Sequence, residues 1–291
     1  MTQRRDFLKQ AGLLSALSLV KPGILFAAPP SLKVGLQLYT LRDYVGKDVK
    51  GVLAKVAKAG YQEVETYGYS KEGGFWGLTA KELKEVLAGN GLATSSGHYG
   101  MDDFVRDGSQ DAFKSYVEAA QACGQTYIVV PYLDEKLRAT TNDFKSVADK
   151  LNKAGEICKA AGLKLAYHNH DFEFKKIDGT SLYDVLLKET SPGLVEFEMD
   201  LYWVIRAGLD PIKLIEVHPQ RFTMWHVKDM DKVAPEHNTE VGAGTIDFRK
   251  IFQHAKASGL KHIFMEQEYF VIDAYQSITQ SAAYIKNRLL S

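Results

Sequence analysis

From residue 31 onward, short runs rich in β-branched and aromatic residues alternate with stretches whose apolar positions recur at helical spacing. The short runs are Lys33–Tyr39, Glu63–Tyr67, Ala93–His98, Tyr127–Pro131, Lys164–His168, Val195–Asp200, Phe222–Val227 and His262–Glu266. Each is strand-length, bounded by turn residues, and predicts a β-strand. Between and after them, Val49–Ala59, Thr79–Asn90, Gln110–Cys123, Thr141–Ala161, Ser181–Thr190, Pro211–His218, Asp247–Ser258 and Tyr275–Leu289 read as amphipathic helices. Several helices run into a glycine just before the next strand (Gly60, Gly91, Gly124, Gly162 and Gly259), the residue that most readily takes a left-handed helix end. A strand–helix unit repeated eight times predicts a parallel sheet closed into a (β/α)₈ TIM barrel, of the α/β class. An open doubly wound sheet would want a glycine-rich phosphate loop after an early strand. The only similar run, Gly242-Ala243-Gly244-Thr245-Ile246-Asp247, comes late, lacks the third glycine, and reads as a loop ending in the helix cap Asp247.

The first thirty residues follow a different pattern. Arg4-Arg5-Asp6-Phe7-Leu8-Lys9 precedes an apolar stretch from Ala11 to Val20, and small residues follow near Ala27-Ala28. The apolar stretch is shorter than the roughly 20 residues that span a bilayer. The paired arginine followed by Phe-Leu-Lys resembles a twin-arginine export signal. Residues 1–28 are therefore expected to be a signal peptide read by the twin-arginine export machinery, and residues 31–291 the single barrel domain. The expected location is periplasmic, with no stable membrane insertion once the signal is removed.

Composition then becomes informative. The whole chain has 291 residues, with 36 Lys+Arg against 36 Asp+Glu. Setting aside residues 1–28 removes Arg4, Arg5, Lys9 and Lys21 but only Asp6, which leaves about 263 residues and a net charge of about −3. That length suits one barrel, for which roughly 250 residues are typical. The charge argues against a nucleic-acid partner, which usually needs a basic surface. Cys123 and Cys158 lie in helical patterns and read as buried free thiols.

Side chains alternate across a strand, and barrel strands ordinarily point Val, Ile and Leu inward. Here one parity is strongly polar: Gln37 and Tyr39, Glu65, Ser96 and His98, His168 and His170, Glu198 and Asp200, His226 and Lys228, Glu266 and Glu268. Several carboxylates placed together inside a barrel are costly unless a cation or hydrogen bonds compensate. His168, Asp200, His226 and Glu266 come from the ends of four consecutive strands. Two imidazoles and two carboxylates suit one divalent metal ion: Mn²⁺, Co²⁺, Zn²⁺, Fe²⁺ or Mg²⁺.

Four segments carry a family resemblance: Tyr167-His168-Asn169-His170-Asp171-Phe172-Glu173-Phe174, Met199-Asp200-Leu201-Tyr202-Trp203, Trp225-His226-Val227-Lys228-Asp229 and Met265-Glu266-Gln267-Glu268. They resemble the sugar phosphate isomerase/epimerase family, the xylose isomerase-like TIM barrels (AP endonuclease family 2) that include inosose dehydratase and endonuclease IV. The resemblance implies a metal held by Glu, Asp, His and Glu at the ends of strands 5 to 8. The last three fall on Asp200, His226 and Glu266, while the first falls on His168. This departure removes one of the two glutamates that the related epimerases use as an acid/base pair, and leaves Glu173 as an alternative strand-5 ligand.

The implied chemistry is proton abstraction alpha to a carbonyl of a small carbohydrate, giving isomerisation or epimerisation. Loss of a β-substituent would instead give a dehydratase or lyase acting on an inosose-like substrate or a 3-keto-glycoside. Glu266, His170 and Lys228 are the acid/base candidates. Glu65, His98, Trp203, Glu268 and Glu173 are expected to contact substrate. Export and the lack of a phosphate loop favour a neutral sugar or keto-sugar. A sugar-binding protein without catalysis is the competing class. Its usual two-lobed architecture does not match an eight-fold repeat. The sequence is compatible with a homo-oligomer.

Overall fold

The computed structural model describes residues 32–291, so the expected export signal lies outside the described residues. Eight parallel strands close into a barrel: β1 (Val34–Gln37), β2 (Glu63–Thr66), β3 (Ala93–His98), β4 (Tyr127–Val130), β5 (Lys164–His168), β6 (Val195–Asp200), β7 (Phe222–Val227) and β8 (His262–Met265). Each pairs with its neighbours in sequence, and β8 returns to β1 in the register Val34↔Ile263, Gly35↔Phe264. Every expected strand forms within a residue or two of its expected bounds. The outward parity, including Leu36, Val64, Ile128, Leu165, Phe197, Trp225 and Ile263, is buried against the surrounding helices and forms the main core.

The expected helices are present: α1 (Val49–Lys58), α2 (Ala80–Gly89), α3 (Asp111–Cys123), α4 (Thr141–Ala160), α5 (Leu182–Glu189), α6 (Pro211–Val217), α7 (Phe248–Phe252) and α8 (Ala274–Tyr284). Local chemistry sets their ends. Thr79 and Thr140 form capping boxes with Glu82 and Asp143, and Asp247 accepts from the Lys250 amide. Gly124 and Gly259 end their helical segments at φ of 83° and 80°. The seventh helical stretch differs from expectation. It breaks after Phe252 and resumes as Ala255–Ser258. Short helices that periodicity missed, Arg42–Val45, Asp102–Asp107 and Leu201–Arg206, lie just beyond the C-terminal ends of β1, β3 and β6. Cys123 and Cys158 are buried free thiols, and burial pushes both up to about 12.

Inside the barrel the side chains form layers. Tyr127, Val129, Ala166, Met224 and Phe264 make an apolar plug. Gly35 belongs to the strand beside it. A Cβ there would collide with the Ile263 carbonyl and the Phe264 ring, so only glycine lets the plug close. Beneath the plug, Glu196 accepts from Lys164 (2.7 Å), Tyr127 (2.9 Å) and Thr223 (2.6 Å). Above it the interior is almost wholly polar.

Candidate active site and metal centre

The polar residues above the plug occupy two levels. At the lower level, the Glu65 carboxylate accepts from Gln37 Nε2 (2.7 Å) and the Ser96 hydroxyl (2.6 Å) and lies 2.7 Å from His226 Nε2. Three imidazole nitrogens converge on Oε2 of Glu198: His98 Nε2 at 2.9 Å, His168 Nδ1 at 3.1 Å and His226 Nε2 at 3.2 Å. The strand register shifts beside both glutamates, at Val64/Glu65 and at Phe197/Glu198. Such irregularities re-aim side chains next to functional sites.

The upper level lies at the C-terminal mouth. Asp200 ends β6 and caps Leu201–Arg206 directly: its Oδ1 accepts from the Trp203 amide at 3.0 Å. Its other oxygen, Oδ2, is buried with no hydrogen-bond partner and lies 3.9 Å from His226 Nδ1. Glu266 Oε2 is 3.1 Å from the same nitrogen. Asn169 fixes the Asp200 backbone by accepting from its amide at 3.1 Å. Lys228 is buried, ion-paired to Glu268 and 3.5 Å from Glu266. Its ammonium lies 5.3 Å from the centre of the Trp203 ring.

The electrostatics follow from this packing. Burial drives the Asp200 carboxyl up to about 7 despite the opposing charges of Lys228 and His226. Burial also opposes ionisation of Glu266, but Lys228 and His226 outweigh it and hold the carboxyl well below its usual range. Burial works against the Lys228 charge too, yet Glu266, Asp200 and Glu268 together keep it firmly protonated. At the lower level, burial would discharge His98, but Glu65 and Glu198 raise it to about 9. His168 goes the other way, pushed well below its ordinary value by burial and by His226. Burial and the Lys228 charge hold His170 neutral, down to about 3.

A cavity of about 380 Å³ opens above these groups, lined by Tyr39, Tyr67, Gly68, His98, Gly100, Pro131, Tyr132, His168, His170, Glu266 and Glu268. No Arg or Lys is among these lining residues. His170 is packed by Phe172, Tyr132 and Trp203, and its Nδ1 has no partner.

The structure therefore brings Asp200, His226 and Glu266 together as one potential cation-binding group, and gathers His168 with His98, Glu198 and His226 into a second. His98, His170 and Glu268 line the cavity, whereas Glu65 sits beneath its floor and Trp203 behind Lys228. Glu173 belongs to neither group. It accepts from the His170 amide (2.7 Å) and the Tyr167 hydroxyl (3.0 Å), and burial raises it to about 8. Sequence reasoning placed Glu198 on the polar face but gave it no role. It missed Asn169 and the cavity wall of Tyr67 and Tyr132, whose aromatic character alone does not separate them from core.

Asp200 Oδ2 is an orphaned carboxylate oxygen aimed at a neighbouring imidazole nitrogen, with a second carboxylate beside it. Bonds of about 2.0–2.2 Å would set adjacent ligand atoms on one ion roughly 3 Å apart, so these residues fit a divalent metal.

A family model described as xylose isomerase-like TIM barrel matches residues 53–288. The chain is 25% identical over 240 residues to an inosose dehydratase of Geobacillus thermodenitrificans, spanning 71% of this chain and 80% of the relative. A solved sugar phosphate isomerase/epimerase from Parabacteroides distasonis superposes with a TM-score of 0.79 at 28% identity, over 91% of this chain and 96% of that one. The IolI protein, solved with a bound zinc atom, shares the fold at 15% identity and a TM-score of 0.68, over 87% of this chain and 97% of that one.

Proposed function

The chain belongs to the xylose isomerase-like TIM barrel family and is an enzyme, and we propose that it removes a proton alpha to the carbonyl of an unphosphorylated polyhydroxylated ketone and then expels a neighbouring hydroxyl as water. The substrate is an inosose-like ring or a keto-sugar. The observation that carries this reading is the convergence of Asp200 Oδ2, His226 Nδ1 and Glu266 Oε2 at the mouth of the barrel. These three residues would hold the divalent ion. When bound, it supplies Lewis-acid stabilisation of negative charge on the substrate oxygens.

The chain's own groups divide the remaining work. His170 lies on the cavity wall with its Nδ1 unpartnered and is the residue placed to accept the alpha proton. Lys228 remains cationic, so it cannot act as the base. It presents positive charge toward the carboxylates at the mouth, and the proton taken up by His170 passes to the departing hydroxyl, which leaves as water. Tyr39 and Tyr132 supply apolar walls for a ring. Two carboxylates and no free cation on the lining disfavour a phosphate group.

Elimination is preferred over epimerisation because epimerisation needs proton-transfer groups on both faces of one carbon. Glu173, the second carboxylate available from β5 and its loop, is tied to the His170 amide and Tyr167 instead of lining the cavity. The inosose dehydratase relative supports the same choice. The isomerase/epimerase name of the structural neighbour supports the second reading, which shares the first proton abstraction.

Metal-loaded enzyme incubated with an inosose and a panel of keto-sugars in D₂O separates the two by NMR. Elimination consumes substrate to an unsaturated or dicarbonyl product. Epimerisation returns sugar labelled at the reacting carbon. Neither signal across the panel would refute proton abstraction altogether. We also place the mature enzyme in the periplasm, on the strength of the Arg4-Arg5 signal.

A further inference from the structure

We infer that His98, His168, Glu198 and His226 form a second divalent-metal site, below the first on the barrel axis and selective for a nitrogen-preferring ion such as Zn²⁺. His226 belongs to both levels, offering Nδ1 to the upper group and Nε2 to the lower.

The lower donor set is three imidazoles and one carboxylate, a combination that zinc takes in four-coordinate form. Its geometry is already close to assembled. A tetrahedral ion with bonds of about 2.0–2.1 Å sets its ligand atoms roughly 3.3 Å apart, and the three nitrogens lie 2.9, 3.1 and 3.2 Å from Glu198 Oε2. Two of these nitrogens, His98 Nε2 and His168 Nδ1, share hydrogen bonds with Glu198 Oε2, while His226 Nε2 bonds to Glu65. The other Glu198 oxygen, Oε1, is buried and has no partner at all. His98 Nε2 and His226 Nε2 also lie 3.1 and 2.7 Å from Glu65 Oε2, so a second carboxylate stands beside the same nitrogens. The cavity provides an entry path, since His98 and His168 line it. Holding both ions would require His226 to give up its second ring proton to solvent.

The site shares His226 with the proposed reaction centre, so the test reads metal content and not activity. Full-length folded protein is stripped with a chelator, reloaded with Zn²⁺, passed through a desalting column and analysed by mass spectrometry of the metal. The wild type should hold two ions per chain. His98→Ala/His168→Ala and Glu198→Gln should each hold one, and Asp200→Asn/Glu266→Gln should also hold one. Zero ions in the wild type overturns the second site, as does an unchanged count in the lower-level variants. An unchanged count in the upper variant instead removes the metal basis of the proposed function. If the lower variants misfold by circular dichroism, Co²⁺ titration of the wild type decides. An intense visible band of four-coordinate cobalt supports the site, and only weak octahedral absorption refutes it.

Discussion

At the scale of single residues, His226 is the pivot, because both of its ring nitrogens face carboxylates. His226→Ala should lower metal affinity by about 100-fold or more and abolish deuterium exchange into substrate. Full activity in that variant would refute the site. Lys228→Met keeps the length of the side chain and removes its charge. It should lower kcat about 100-fold with a smaller change in KM, because the charge matters most as the hydroxyl leaves. Steady-state kinetics with the identified substrate checks this. Glu173 makes a different kind of prediction. Its carboxyl is raised to about 8 in the fold, from an ordinary 4.5. Between those values the native state binds the proton more tightly than the unfolded chain, so stability falls as pH rises from roughly 5 to 8 and then levels off. Glu173→Gln should flatten that decline, as read by denaturant melts at several pH values. Much of this scale was legible from strand parity alone, which placed the polar groups of β2, β3 and β5–β8 inside the barrel. Their division into two levels was not legible. It depends on register shifts beside Glu65 and Glu198 and on which way each ring turns, and neither leaves a mark on the residue pattern.

At the scale of elements, the mouth is shaped by segments that periodicity cannot find. Leu201–Arg206 is short, apolar almost throughout and begins without a loop, so its residue pattern marks no separate element after Asp200. Its start is nevertheless what fixes Asp200, since one carboxylate oxygen caps the helix and the other is left facing His226. The segment after β7 is organised around Asp229, whose carboxylate accepts from the amides of Met230 (2.8 Å), Gly242 (2.8 Å), Gly244 (3.1 Å) and Ile246 (3.1 Å). That fold places Asn238 to accept from the amides of Glu268 (2.6 Å) and Tyr269 (3.1 Å), and so sets the loop that carries Lys228's partner. Asp229→Ala leaves four amides without their acceptor and should cost about 3 kcal/mol or more of stability. In whatever remains folded, KM should rise as Glu268 loses its position. Calorimetry and kinetics measure the two effects separately.

At the scale of the whole molecule, the eight-fold repeat was readable because each strand is short, apolar on its outer parity and separated by a capped helix. The chemistry concentrates at one end of that repeat, and stability should follow. Chelation should lower Tm by several degrees, because bound ions stabilise only the folded state. A melt insensitive to chelator and to added Zn²⁺ would contradict both metal levels. The export proposal is tested by fusing residues 1–28 to a reporter that crosses a membrane only when already folded. Arg4→Lys with Arg5→Lys should stop transport.

The apolar plug has a consequence for proton traffic. Phe264, Met224 and Tyr127 close the lower end, and Gly35 lets them meet without a gap. Among the described residues the barrel is thus a vessel open at the mouth, and a proton or ion reaching Glu65 or Glu198 from that side passes the place where substrate would sit. A bound inhibitor should therefore act as a stopper, freezing the protonation of the buried histidines and slowing loss of metal to a chelator far more than its affinity for any one side chain would explain.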